Sequence, residues 1–353
     1  MNCTIIGAGA IGKAVAGWAF SAMGASLTFI DAQENVVADL NRRGGYRIYE
    51  SVQCWHTVSP VRAVGVLSPE ARACLEASDC VVTAVGPGLE NVSRMLAEAL
   101  GERARPCALM LFENDPSALS ILESAFGGRF PENLCAAKAS IERMSRIFAQ
   151  PDGSLDVLCE DWIPIILPQS LQKRALLPDD PRLFQFVEDT ARYYYRKLYT
   201  NNLGHAVLGF QGRRAGWTTA SEAIGDPAIR AHVRRALEEA GVLLVRRYGF
   251  EATEMEAHIE DLISRRYANP ALADPLDRLV RDPARKLSRD ERLIGAARGC
   301  LECGIMPVEI LRTIRLAMAS LKMPEERILA EICDIDPNEP LWAALMNSDT
   351  QGG

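Results

Sequence analysis

The most constraining feature of this chain is its first turn. Asn2 to Ile6 is a short apolar run. Gly7-Ala8-Gly9-Ala10-Ile11-Gly12 follows it at once and leads into a helical pattern from Ile11 to Met23. A strand, a G-x-G-x-x-G turn and a helix, in that order, open a βαβ unit. Gly7 permits the tight turn, Gly9 lets the backbone approach a pyrophosphate, and Gly12 lets the helix pack close to the strand. The anion's charge then falls at the helix N-terminus, through Ala8, Ala10 and Ile11, where unpaired N–H groups and the dipole favour it. Asp31 closes the next strand-like run, Ser26 to Ile30. A carboxylate there accepts from a ribose 2′-hydroxyl and repels a 2′-phosphate, which selects NAD over NADP. The alternative is a turn whose small residues serve packing alone.

The pattern continues as strand and helix in alternation. Gln33 to Arg43 reads as a helix, and Cys80 to Val85 and Cys107 to Phe112 as buried strands. Such alternation implies a doubly wound parallel sheet covered on both faces. Leu155 to Leu167 holds further strand-like material, expected at the edge of this sheet or in an extension to it. From about Pro181 the period changes. Arg182–Leu198, Pro227–Tyr248, Thr253–Arg266, Arg289–Cys303 and Pro307–Leu321 all carry helical spacing. The fold class is therefore α/β: a Rossmann-type sheet followed by a mostly α-helical C-terminal domain. The boundary is placed in the turn-rich segment Leu177–Pro181, giving domains 1–180 and 181–346, with 347–353 as a frayed tail.

Ligands of open parallel sheets bind beyond the carboxyl ends of the strands. That rule makes Val85 and Gly86, in Thr83-Ala-Val-Gly-Pro87, and Asn114, in Glu113-Asn114, candidates for the cofactor crevice. A Gly-Pro turn and a loop cap are the plain alternatives.

Composition limits the rest. The chain has 353 residues, 48% hydrophobic and 24% charged, with 39 basic against 46 acidic residues and a net charge of −7. This is enough apolar material for two cores and argues against disorder, and the acidic balance argues against nucleic acid as the main partner. No run reaches membrane-spanning length, and the apolar first twenty residues lack a basic leader. Ten scattered cysteines read as reduced thiols of a cytoplasmic protein. Cys300-Leu-Glu-Cys303 is a lone pair without two further ligands, and no H-E-x-x-H occurs, so no metal is expected.

A hydride carrier needs a proton acceptor beside the alcohol it oxidises, and the second domain offers one. The segment Lys197-Leu-Tyr-Thr-Asn201-Asn202-Leu-Gly-His205 groups a lysine, an amide and an imidazole with no acid nearby. On a regular helix of about 100° per residue, His205 lies about 80° from Lys197 and Asn202 about 140°. An apolar crevice lowers a lysine pKa, so that neutral amine can serve as base. Asn202 then donates to the developing alkoxide, and His205 binds a neighbouring hydroxyl. Between Arg278 and Arg292 six basic residues stand against three acids, a local surplus fit for a phosphate. Solvated helix charges are the alternative reading there.

The spacing K-x-x-x-x-N-x-x-H, as Lys197, Asn202 and His205, resembles the polyol-specific long-chain dehydrogenase/reductase family. The segments 197–207, 247–251, 269–275 and 278–295 are similar to that family, as are the glycine turn, the run ending at Asp31 and Thr83–Pro87. The resemblance implies metal-independent, NAD-dependent interconversion of a polyol and a ketose, with Lys197 as general acid/base, Asn202 polarising the reacting oxygen and His205 on the substrate. It also implies a basic pair, Arg278 and Lys286, near the substrate, and favours mannitol 1-phosphate and fructose 6-phosphate as the pair interconverted. Arg281 and Arg285 are the added positions expected for a phosphorylated substrate. Glu142 in Ile141-Glu142-Arg143, where the family commonly has V-D-R, is the expected acidic substrate contact. Another polyol or sugar acid, or an NAD-sensing protein without turnover, are the alternatives. The site is expected between the two domains, and the protein as a monomer or small homo-oligomer.

Overall fold

Among the described residues the first half of the chain holds twelve strands, interspersed with helices. They are β1 (Asn2–Ile6), β2 (Ser26–Asp31), β3 (Tyr46–Ser51), β4 (Cys54–Val58), β5 (Val61–Gly65) and β6 (Cys80–Thr83), then β7 (Cys107–Leu111), β8 (Leu134–Lys138), β9 (Ser145–Ala149), β10 (Leu155–Cys159), β11 (Ile165–Pro168) and β12 (Phe184–Val187). The structure, a computed structural model, describes residues 1–346 other than 52 and 273. The expected tail, 347–353, lies outside the described residues.

The chain divides into two compact units, Met1–Thr190 and the remainder from Ala191. In the first, six strands form one sheet in the order β5-β2-β1-β6-β7-β8, and every neighbouring pair is parallel. This is the Rossmann-type sheet. Its side chains alternate between two buried cores, as the period of two requires. Cys3, Ile5, Val82 and Met110 enter one, and Ile6, Val81, Leu109 and Leu111 the other. The strand order reverses between β1 and β6, which sets the ligand crevice of such a sheet at their carboxyl ends.

Two expectations are corrected. Leu155–Leu167 is not an edge of the main sheet. Its residues make β10, which joins a separate four-stranded sheet β4-β3-β10-β9, and β11, which pairs with β12. The edge is taken by β8, whose Leu-Cys-Ala-Ala-Lys sequence lacks the β-branched residues that mark a strand. The other correction concerns the helix expected from Arg182. Phe184 and Phe186 flank the exposed Gln185 with a period of two, and this stretch pairs in parallel with β11. It therefore stays with the first unit, so the division falls at Thr190/Ala191 rather than after residue 180.

The second unit is helical among the described residues. Its longest helix, Pro227–Tyr248, starts on Asp226, whose side chain accepts from Ala228 and Ile229 N–H, and ends at Gly249 with φ +67°. A shorter helix, Leu203–Arg214, is buried along most of its length. No described helix is long and apolar enough to cross a membrane.

Candidate active site

In the first unit the glycine turn leaves the carboxyl end of β1 beside the switch in strand order. Gly7 has φ +97°, and a Cβ there would lie 2.3 Å from the Ala84 carbonyl oxygen, so only glycine lets this turn lie against the loop after β6. A Cβ on Gly12 would meet the Gly7 oxygen at 1.9 Å, which binds the helix to its own entry turn. By contrast, a Cβ on Gly9 would touch nothing within 4 Å, so this backbone faces open space where a pyrophosphate approaches.

Asp31 Oδ2 accepts from Ala8 N–H at 2.7 Å and Oδ1 from Gln33 N–H at 2.8 Å. Each carboxylate oxygen keeps lone-pair capacity for a ribose hydroxyl. Ala10 and Ile11 begin the helix, and Gly9 O accepts from Lys13 N–H at 3.0 Å. These features fit a dinucleotide: a tight turn, an open backbone facing the phosphates, and an acid at the ribose.

Val85 and Gly86 occupy the loop after β6, and sequence reasoning missed what holds them. Glu113, buried beyond β7, accepts from Val85 N–H and Gly86 N–H, each at 2.9 Å. The carboxylate thus acts as a clamp on the loop. Its neighbour Asn114 is exposed. Glu142 is buried and lies four residues beyond β8. Arg143 beside it donates to the carbonyls of Ala14 and Glu160 and to Glu50.

In the second unit Lys197 ends the helix Ala191–Lys197, and a π turn, Leu198–Asn202, follows before the helix Leu203–Arg214. The Leu203 N–H reaches Leu198 O, five residues back. The regular 100° spacing therefore does not apply between Lys197 and Asn202. Lys197, Asn202 and His205 are all half-buried.

A π turn leaves carbonyls without their usual helix partners, and this one is capped from outside. Tyr267 donates towards Asn201 O at 3.2 Å and Thr200 O at 3.4 Å. Asn201, with its amide oriented by its neighbours, accepts from Arg266 at 3.1 and 3.2 Å and donates to Thr200 Oγ1 at 3.1 Å. Arg266 closes a second π turn, Leu262–Arg266. Asn201 is therefore a structural amide of this turn.

His205 packs on Tyr267 with ring centroids 4.9 Å apart. Burial pushes its pKa down to about 4. Asp274 opposes this, while Arg278, Arg266 and Arg292 add to it. His205 is thus a neutral imidazole at neutral pH, a hydrogen-bonding group rather than a cation. Arg278 is brought to the same neighbourhood and is paired with Asp274 through Nε and Nη2. Asp274 lies inside the family-like segment 269–275, but no role for it follows from the sequence.

Lys286 is buried and donates to the Arg281 carbonyl. Burial, with Arg292 and Arg285, lowers its pKa to about 8. Arg285 pairs with both Asp282 and Glu291, each at 3.0 Å. Arg281 is exposed and lines a separate cavity of about 690 Å³ with Arg213, Arg214, Asp277 and Asp282. Arg278, Lys286 and Arg292 are thus tied to His205 or to one another electrostatically, while Arg281 lines the other cavity.

Comparison with known proteins agrees with this architecture. The model of the mannitol dehydrogenase Rossmann domain matches residues 1–168, and that of the mannitol dehydrogenase C-terminal domain matches residues 189–352. The mannitol-1-phosphate 5-dehydrogenase of Paenarthrobacter aurescens (strain TC1) is 32% identical over 380 residues, covering 98% of this chain and 97% of the relative. Pseudomonas fluorescens mannitol 2-dehydrogenase, solved as a ternary complex with NAD and D-mannitol, shares the fold with a TM-score of 0.70 at 15% identity, over 93% of this chain and 80% of that one. A D-sorbitol dehydrogenase in substrate-free form gives 0.72 at 16% identity, over 92% and 81%. The chain belongs to the mannitol dehydrogenase family. It is an oxidoreductase of that family, with its Rossmann domain in residues 1–168.

Proposed function

We propose that this protein interconverts a polyol and its ketose at the expense of NAD and NADH, with mannitol 1-phosphate and fructose 6-phosphate as the favoured pair. The observation that carries the reading is the π turn that begins after Lys197 and ends at Asn202, three residues before a neutral His205. Bound NAD supplies the hydride acceptor. The glycine turn and Asp31 hold its pyrophosphate and ribose. Lys197, as the neutral amine, takes the hydroxyl proton of the substrate and returns it in reduction. Asn202 donates to the oxygen that gains charge as the proton leaves. His205 stays uncharged and fixes a neighbouring hydroxyl. Arg278 and Lys286 supply positive charge beside it, and no metal is invoked. The preference for a phosphorylated substrate rests on the 32% identical relative and on the basic segment 278–292.

A second reading, a free polyol or a sugar acid, is favoured by one observation. Arg278 and Arg285 both have carboxylate partners already, Asp274 for the first and Asp282 and Glu291 for the second. Their charge is partly matched before any substrate arrives.

The test is NADH oxidation with a panel of ketose phosphates and free ketoses, wild type beside Lys197→Ala. Retained NADH binding with kcat lower by about 10²–10⁴ is expected for a lost general acid/base. Binding of NADH without turnover of any panel member in the wild type would overturn the enzymatic reading in favour of a sensor. Turnover confined to free ketoses would overturn the phosphate assignment.

A further inference from the structure

Away from the dinucleotide turn, the β3–β4 hairpin gathers three side chains of different donor chemistry. Glu50 follows Ile48 by two residues on β3, and Ile48 pairs with His56 on β4. Cys54 precedes His56 by two. The period of two therefore puts Glu50, Cys54 and His56 on one face of the hairpin. A register shift between Tyr49 and Ser51 marks a bulge at this point, and bulges re-aim side chains. The result is close contact: Glu50 Oε2 lies 3.8 Å from Cys54 Sγ and 3.4 Å from His56 Nε2. The three ligand atoms all fall within 4.8 Å of one another.

We propose that Glu50, Cys54 and His56 form a zinc site, open to solvent at its fourth position. Zinc bonds to sulfur at about 2.3 Å and to nitrogen or oxygen at about 2.0–2.2 Å, so neighbouring ligands in a tetrahedron stand about 3.3–3.6 Å apart. The two distances to Glu50 meet that requirement within a few tenths of an ångström. A thiolate with an imidazole selects a borderline or soft cation over magnesium or calcium. The outer contacts suit such a site as well. Arg143 Nη2 holds the other oxygen of Glu50 at 3.1 Å, which aims Oε2 at the ion. The His56 ring rests on Trp18 with centroids 4.9 Å apart. Cys54 is exposed and His56 is 41% exposed, so the ion enters directly from water. On binding, the Cys54 thiol releases its proton to solvent, His56 ligates as neutral imidazole through Nε2, and Glu50 ligates as carboxylate.

The site reaches the dinucleotide helix without belonging to the reaction. Trp18 stands on that helix, and Arg143 donates to Ala14 O within it at 2.6 Å. A bound ion would pin the hairpin to this helix and stabilise the first unit. The proposal is independent of the polyol reading and runs against the sequence-based expectation of no metal.

The test is titration of the full-length protein, washed with chelator, with cobalt(II) followed by zinc. One equivalent of cobalt should give a thiolate charge-transfer band and the intense visible bands of a tetrahedral site, both abolished by zinc. Cys54→Ser should lose the charge-transfer band, and His56→Ala should weaken binding at least tenfold. Both variants are expected to bind NADH like the wild type, which shows that they fold. Absence of a saturable band in the wild type, or a band that persists unchanged in Cys54→Ser, would overturn the assignment.

Discussion

Tyr267 stands directly over Gly204: a Cβ at residue 204 would lie 2.2 Å from the Tyr267 hydroxyl oxygen. The missing side chain is what lets this hydroxyl reach the Thr200 and Asn201 carbonyls. The same arrangement occurs in the first unit. Gly17 makes room for the Tyr46 hydroxyl, which donates to Lys13 O at 2.8 Å beside the π turn Gly12–Gly17. In both places a glycine four residues beyond a carbonyl admits a tyrosine from outside to cap a π turn. Gly204→Ala should therefore cost about 2–4 kcal/mol, the sum of overpacking and a lost buried hydrogen bond. Because the turn lies between Lys197 and His205, kcat should fall as well, with NADH affinity little changed. Urea unfolding and steady-state kinetics on the same variant check both parts.

Glu113 offers a test of the loop after β6. Both of its oxygens accept backbone N–H groups, from Val85 and from Gly86. A glutamine keeps the shape but turns one acceptor into a donor facing an N–H. Leaving one buried N–H unpaired costs about 1–3 kcal/mol. Glu113→Gln should thus raise the Kd for NADH by about tenfold or more, read by fluorescence titration. Unchanged affinity would mean that this loop does not touch the cofactor.

The sequence made the dinucleotide half legible because each glycine there answers a local steric demand. Gly7, Gly12 and Asp31 all stand where the motif requires them. The chemistry-bearing triple was legible by spacing, but its geometry was not. A π turn has no residue signature, so the regular helix wheel does not carry over between Lys197 and Asn202. Glu113 was weighed with Asn114 as part of the crevice or as a loop cap, and its partners are backbone groups that no side-chain pattern reveals. The hairpin sheet was missed for another reason: Tyr46–Ser51 and Cys54–Val58 carry enough polar and charged residues to read as loop. The acids that neutralise Arg278 and Arg285 were visible in the sequence, but pairing is settled only by the fold.

Acid stability should report on His205. Its pKa falls from the ordinary 6.5 to about 4 because burial disfavours the imidazolium. Between those values the unfolded chain binds a proton that the folded chain does not. Stability contributed by this group is therefore complete above about pH 6.5 and is lost as pH drops towards 4, by an amount on the order of 3 kcal/mol. His205→Asn should flatten the pH dependence of the unfolding free energy across that window. A slope equal to the wild type would show that the imidazole titrates normally.

Arg281 and Arg285, taken together by sequence, should part company in kinetics. Arg285 is engaged by Asp282 and Glu291 in a turn where Asp282 itself has φ +56°. Truncating it should loosen that turn and raise KM for phosphorylated and free ketoses alike. Arg281 instead lines a cavity shared with Arg213 and Arg214. Removing a charged hydrogen-bond partner of a phosphate costs about 1.5–3 kcal/mol. That cavity holds none of Lys197, Asn202 and His205, so Arg281→Ala should show no such loss and leave KM for a ketose phosphate and a free ketose alike within about twofold of the wild type. A rise of about tenfold or more for the ketose phosphate alone would instead return Arg281 to phosphate recognition.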